Sequence, residues 1–308
     1  MTRPAPGAEP THDAAPVAAR VVLGRPDAPR HAVVLAPVLA RWDDGAFFRP
    51  IAGPLLDSGH RVTIHDTLSL MRDGDDLKSL VRRWARYLAP RERLRGTAPD
   101  AHRPVRDEAP DVLVGNALGG AVVQGMLTEP WTHRAKVLLL SGPTVADHAL
   151  NTALERIAAT AEAEGLPAAT RLLEEVVRGP GGPARTADPG SGPPDASRTP
   201  DDSRHPDASR TPDAGEPAAA RRLAARRLTA GLRLLRDADA RHAVRDFPGP
   251  LLHVYGAQSR LVRRTHLATG PLPQHRLVAV ARAGMRPHAD RPDLVRHTLT
   301  RFLGAELT

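Results

Sequence analysis

Asp111-Val-Leu-Val-Gly-Asn-Ala-Leu-Gly-Gly-Ala-Val-Val-Gln-Gly-Met126 is the stretch whose reading decides the fold. A short apolar run, Asp111–Val114, stops at Gly115. A glycine-flanked turn follows, and then an apolar stretch, Gly119–Leu127, long enough for two turns of helix. Short apolar runs bounded by glycine fit a strand covered on both faces, and longer ones fit a packed helix. Strand, tight turn and helix in succession form the repeating unit of a parallel sheet.

The same alternation extends in both directions. Strands are expected at Arg20–Leu23, His31–Leu35, Arg61–His65, Val112–Val114, Lys136–Leu140, Leu251–Tyr255 and Arg276–Val280. Helices are expected at Phe47–Ser58, Asp76–Leu88, Gly119–Leu127 and Asp293–Leu303. The pattern predicts an α/β fold, a mostly parallel central sheet with helices on both faces.

The strand signal lapses between residues 146 and 245. His148–Arg178 and Pro217–Asp239 are rich in Ala, Leu, Glu and Arg and read as helices. Between them, residues 179–215 are rich in Pro, Gly, Ser and Asp. They contain a six-residue near-repeat: Pro194-Asp-Ala-Ser-Arg-Thr199, Pro200-Asp-Asp-Ser-Arg-His205 and Pro206-Asp-Ala-Ser-Arg-Thr211. Such a stretch buries too little apolar surface to offset its ordering entropy, so it is expected to be a disordered insertion. Residues 1–18, rich in Pro, Ala and Thr, are expected to be a disordered tail. The expected organisation is a core of 19–145 and 240–308 with 146–239 inserted.

Composition narrows the function classes. The 308 residues contain no cysteine, which excludes disulfides, thiolate metal sites and cysteine nucleophiles. Aromatics are 3% of the chain, so the core is built from Ala, Val and Leu. The net charge of +8 is carried almost wholly by arginine, since Lys78 and Lys136 are the lysines. The arginines are scattered among Ala, Pro and Gly, as in GC-rich, actinobacterial coding. They form no basic stripe interleaved with aromatics, so a nucleic-acid partner is not expected. No basic start leads into an apolar run at the N-terminus, and no apolar stretch is membrane-spanning in length. The sequence is therefore read as a cytoplasmic chain that takes no membrane partner, cofactor or metal.

Gly115-Asn116-Ala117-Leu118-Gly119-Gly120 between strand and helix resembles the nucleophile elbow, G-x-S-x-G, of the α/β-hydrolase fold family. In that family the glycines let helix and strand approach closely. Further stretches agree. Phe47–Asp66 resembles the first helix, turn and following strand, and Lys136–Pro143 the strand leading to the cap. Phe247–Gly256 resembles the strand before the catalytic acid, and Ala283–Pro292 the histidine loop. The resemblance covers roughly residues 19–146 and 240–305 and implies that 146–239 is a helical cap.

The family mechanism needs a hydroxyl nucleophile, an imidazole base and a carboxylate that orients it. The resemblance puts Ala117 at the nucleophile, Ser259 of Gly256-Ala-Gln-Ser259 at the acid and Met285 of Gly284-Met-Arg-Pro287 at the base. None of these side chains can do the work its position asks. In the oxyanion loop Pro37-Val38 stands where the family has His-Gly, leaving the backbone N–H of Leu118 as a donor. Two other residues stand near the vacated positions: Asp147 as a relocated acid, more simply a helix cap, and His288 as a base, where the family's histidine often points to the surface. Arg260 and Arg286 beside the vacated positions would suit an anion, although both also fit an arginine-rich surface.

The resemblance therefore implies a catalytically inactive α/β-hydrolase-like protein. It would bind a small apolar ligand or a partner protein, for example as an accessory in specialised biosynthesis, with Pro37, Val38, Asn116, Ala117, Leu118, Ser259 and Met285 lining the pocket. The alternative is an enzyme of the same superfamily, an esterase, peptidase, cyclase or lyase, with a non-standard site.

Overall fold

The computed structural model describes residues 18–90, 109–178 and 217–304. The expected insertion at 179–215 and all but the last residue of the expected N-terminal tail lie outside these. Ala18, that last residue, is buried against the core.

Seven strands form one sheet: β1 (Arg20–Leu23), β2 (Arg30–Leu35), β3 (His60–His65), β4 (Val112–Asn116), β5 (Lys136–Leu140), β6 (Leu251–Gly256) and β7 (His275–Val280). Their spatial order is β1-β3-β2-β4-β5-β6-β7. β1 runs antiparallel to β3, and every other pair is parallel. All seven coincide with the expected strands to within two residues at either end. The central strands are continuous apolar runs because both faces are covered. Along β4, Leu113 joins one apolar layer, with Trp84, Val122 and Met126, while Val112 and Val114 join the other, with Leu55, Leu299 and Phe302.

The helices around the sheet are α1 (Arg49–Asp57), α2 (Leu77–Leu88), α3 (Leu118–Gly125), α7 (Arg241–Asp246), α8 (Pro287–Asp290) and α9 (Pro292–Gly304). Between β5 and α7 lie α4 (His148–Ala163), α5 (Leu166–Val177) and α6 (Ala218–Leu235). This excursion leaves and rejoins the core at one place. Val145 bridges Asp239, Ala146 N–H donates to the Ala238 carbonyl at 2.8 Å, and Ala240 N–H donates to that of Thr144 at 2.8 Å. Asp147 starts α4 by accepting from Leu150 N–H at 2.8 Å, an N-cap bond. Within the excursion, Arg233 on α6 reaches Glu155 and Glu162 on α4 at 2.9 and 2.8 Å.

The start of α3 is one of the tightest points of the fold. A methyl group on Gly119 would lie 2.0 Å from the Leu35 carbonyl oxygen, and one on Gly115 would lie 2.5 Å from that of Gly119. Both obstacles are backbone, so neither can swing aside. Gly119→Ala is expected to cost roughly 3 kcal/mol or more, as severe overpacking does. Gly53 in α1 has nothing within 4 Å of that position. Because Gly53 precedes Pro54, whose ring crowds a preceding Cβ in a helix, the propensity gain is offset and Gly53→Ala is expected to change stability by less than about 1 kcal/mol. Urea unfolding of the two variants checks both magnitudes.

Candidate functional site

The elbow is built as the glycines dictate. Ala117 sits between β4 and α3 at φ 47°, ψ −112°, a conformation that L-residues avoid. Its N–H donates to the Leu140 carbonyl at 3.2 Å, and Asn116 Nδ2 donates to the same oxygen at 2.7 Å. The Ala117 carbonyl accepts from Ala121 N–H at 3.0 Å, the first bond of α3.

Ala117 forms part of the wall of a cavity of about 60 Å³. Four strand ends contribute to it. Pro37, Val38 and Leu39 follow β2, Asn116 and Ala117 close β4, Leu261 follows β6, and Met285 and Arg286 follow β7. Phe47 and, from the helical excursion, Leu154, Leu173, Val177, Leu232 and Leu235 complete the lining. A crevice at the carboxyl ends of the strands is where open α/β sheets place ligands.

Among the described residues that line the cavity, none carries a hydroxyl, an imidazole or a carboxylate. Its polar side chains are Asn116, held by Leu140, and Arg286. The Arg286 guanidinium lies 3.0 Å from Glu174 on α5 and 5.7 Å from the centre of the Phe47 ring, stacked by cation–π attraction.

Of the residues singled out from sequence, Pro37, Val38, Asn116, Ala117 and Met285 come together here. Leu118 and Ser259 do not line the cavity. Leu118 is wholly buried in the apolar layer beneath the elbow. Ser259 closes a tight turn, its N–H donating to the Gly256 carbonyl at 3.1 Å, and its buried Oγ has no hydrogen-bond partner among the described residues. The lining leucines of the excursion were not singled out. Their helical spacing, as at Leu173 and Val177, marks an apolar face without saying what that face covers.

The excursion is tied to the loops that form the cavity. Met285 N–H donates to the Val177 carbonyl at the end of α5, 2.9 Å away, and Gly284 N–H donates to Asp290 Oδ2 at 2.7 Å. Arg227 of α6 donates from Nε to the Leu39 carbonyl at 2.9 Å and from Nη2 to Asp66 after β3. Burial raises the Asp66 carboxyl above its ordinary value, against the pull of the Arg227 charge.

The imidazoles nearest the expected chemistry are spent elsewhere. His288 is not on the surface, as expected, but buried. Pro287 opens the one-turn helix α8, and the His288 ring packs edge-on to Phe47 at 4.9 Å and parallel to Phe48 at 6.4 Å. Burial, reinforced by the Arg286 charge, pushes it down to about 3. His253 on β6 is buried completely and is also pushed to about 3 by burial. His266 does face a carboxylate, with Nε2 3.0 Å from Asp147 Oδ2, but its Nδ1 accepts the backbone N–H of Arg263 at 3.0 Å. Its Nδ1 is thus occupied, and the pair sits at the root of the excursion. Asp147 therefore caps α4 and anchors it.

The sequence matches no family model and no curated protein. Solved structures do match in fold. An α/β hydrolase from a Medee basin deep-sea metagenome library aligns over 94% of this chain and 95% of its own, with a TM-score of 0.64 at 10% identity. A thermophilic esterase from Thermogutta terrifontis aligns over 93% and 92%, at 0.59 and 13%. The 2-hydroxy-6-oxo-6-phenylhexa-2,4-dienoate hydrolase of Rhodococcus sp. strain RHA1 aligns over 94% and 95%, at 0.55 and 16%. The protein thus has the α/β-hydrolase fold, and at these identities the likeness is one of fold.

The two buried neutral imidazoles set an acid limit on stability. The unfolded chain takes up a proton on each below pH 6.5, while the folded chain does not until about pH 3. Stability is therefore lost as pH falls through that window, by roughly 1 kcal/mol per unit for each group. The urea midpoint is expected to drop between pH 7 and pH 5, and His288→Phe is expected to flatten the slope. An unchanged slope in that variant would mean that His288 titrates normally.

Proposed function

We propose that this chain is a non-hydrolytic member of the α/β-hydrolase fold that holds a small, largely apolar ligand between its strand ends and the α4–α6 cap. The observation that carries this reading is the cavity wall, where Ala117 occupies a strained elbow with no hydroxyl, imidazole or carboxylate among the described residues around it. Acyl transfer by the serine mechanism needs all three groups in hydrogen-bond reach. The assignment of Ser259 and Met285 to the acid and base positions supports the same reading, as does Pro37, which has no N–H to give to an oxyanion.

Size limits the ligand. An apolar cavity of about 150 Å³ admits benzene, and this one is less than half that volume. The closed form suits a few heavy atoms, and anything larger requires the Met285–Val177 and Arg227 ties to yield.

A fluorophosphonate probe tests the chemistry. The native protein and Ala117→Ser are both expected to remain unlabelled, because the substituted serine would still lack a base. Labelling of the native protein would overturn the proposal and favour an enzyme with a non-standard site. Ala117→Ser combined with Ser259→Asp and Met285→His is expected to gain labelling at residue 117, which checks the three assigned positions together.

A further inference from the structure

Beside the cavity lies a charged groove. On the outer side of α5, Arg171, Glu174, Glu175 and Arg178 face Arg260 across a groove, and Arg260 precedes the cavity-lining Leu261. Arg286 joins the two regions, since it lines the cavity and also contacts Glu174 of the groove. The groove carries one more arginine than glutamate, and Arg286 beside it raises the excess to two, while the cavity interior carries no other charge. Among the described residues Glu174 is the one carboxylate on Arg286, and it engages Nη2. The rest of the guanidinium fork is left to bind a second planar anion.

Resting on the reading above, we infer that the ligand is a short-chain carboxylate, its apolar tail against Ala117, Leu235 and Met285 and its carboxylate on Arg286, with Arg260 adding attraction at the mouth. The chemistry follows from the parts. An apolar pocket of about 60 Å³ takes only a short tail. A planar guanidinium at its edge prefers a carboxylate, which it can bind through two parallel N–H donors. A neutral ligand of the same shape would leave the arginine excess unused. No bond is made or broken, so the complex is a reversible one.

The experiment is a titration of the native protein with butyrate, and with butyramide as its neutral isostere, followed by 1H–15N NMR. Butyrate is expected to shift the amides of Ala117, Leu261 and Met285 and to bind at least tenfold more tightly than butyramide, as a hydrogen bond to a charged group allows. Arg260→Gln, which alters an exposed side chain, is expected to weaken butyrate severalfold and to leave butyramide unchanged. Arg286→Gln is expected to remove the preference between the two. Ala117→Leu, which fills the cavity, is expected to abolish binding of both. Equal binding of butyrate and butyramide at these amides would overturn the carboxylate inference and leave the apolar-cavity reading standing. Binding of neither at millimolar concentration would overturn both.

Discussion

The structure depends on one close approach, the first turn of α3 lying against the carbonyl of Leu35 with Gly119 between them. That contact sets the distance between helix and sheet and forces the chain through Ala117 at a positive φ. In a hydrolase of this fold the same geometry presents a nucleophile. Here the geometry persists with a methyl group at its apex. The elbow's strain, about 1–3 kcal/mol for such a backbone, is offset by packing in the surrounding apolar layers. The hydroxyl, by contrast, contributes nothing to that packing. The packing around the elbow thus does not depend on which side chain stands at its apex.

The side chains around Ala117 decide what the space can hold. A triad needs a wet, hydrogen-bonded crevice in which an imidazole can gain and lose a proton near neutral pH. The wall around Ala117 consists mostly of leucine, valine, methionine and proline, and the nearby His288 is kept neutral by apolar surroundings. Arg227, Arg286 and the Met285 amide hold α4–α6 down over the strand ends by charge-assisted and backbone hydrogen bonds. These ties have more than local weight. Each fastens the helical excursion to a loop that itself lines the cavity, so the volume available to a ligand and the position of the excursion are set together.

The sheet was legible because its strands are buried on both faces, and burial writes itself into sequence as unbroken runs such as Val33–Leu35 and Val137–Leu140. The elbow was legible because close backbone approach admits only glycine, at Gly115 and Gly119. Less could be read where a residue's neighbours come from distant parts of the chain. His288 looked like a surface residue because nothing local reveals that Phe47 and Phe48 will cover it. Leu118 follows the lining Ala117 and Ser259 stands two positions before the lining Leu261, yet neither lines the cavity. Whether a loop residue faces a space depends on one turn of backbone, and no periodicity records it. The role of Arg227 was invisible for the same reason, since its partners Leu39 and Asp66 lie more than 150 residues away.

The chain does contain a buried histidine facing an aspartate, and its placement shows why residue types alone do not make a site. In a working triad the carboxylate holds one ring nitrogen so that the other is free to take a proton from the nucleophile. At His266 the second nitrogen accepts the Arg263 amide, which fixes the proton on the side of Asp147. Asp147 also accepts the Leu150 amide at the start of α4. The pair is thereby committed to holding the helical excursion to the sheet. The same two side chains, with one backbone N–H removed, would form a base. With that N–H in place they form an anchor, and the elbow at Ala117 is left facing a space shaped by apolar packing and edged by arginine.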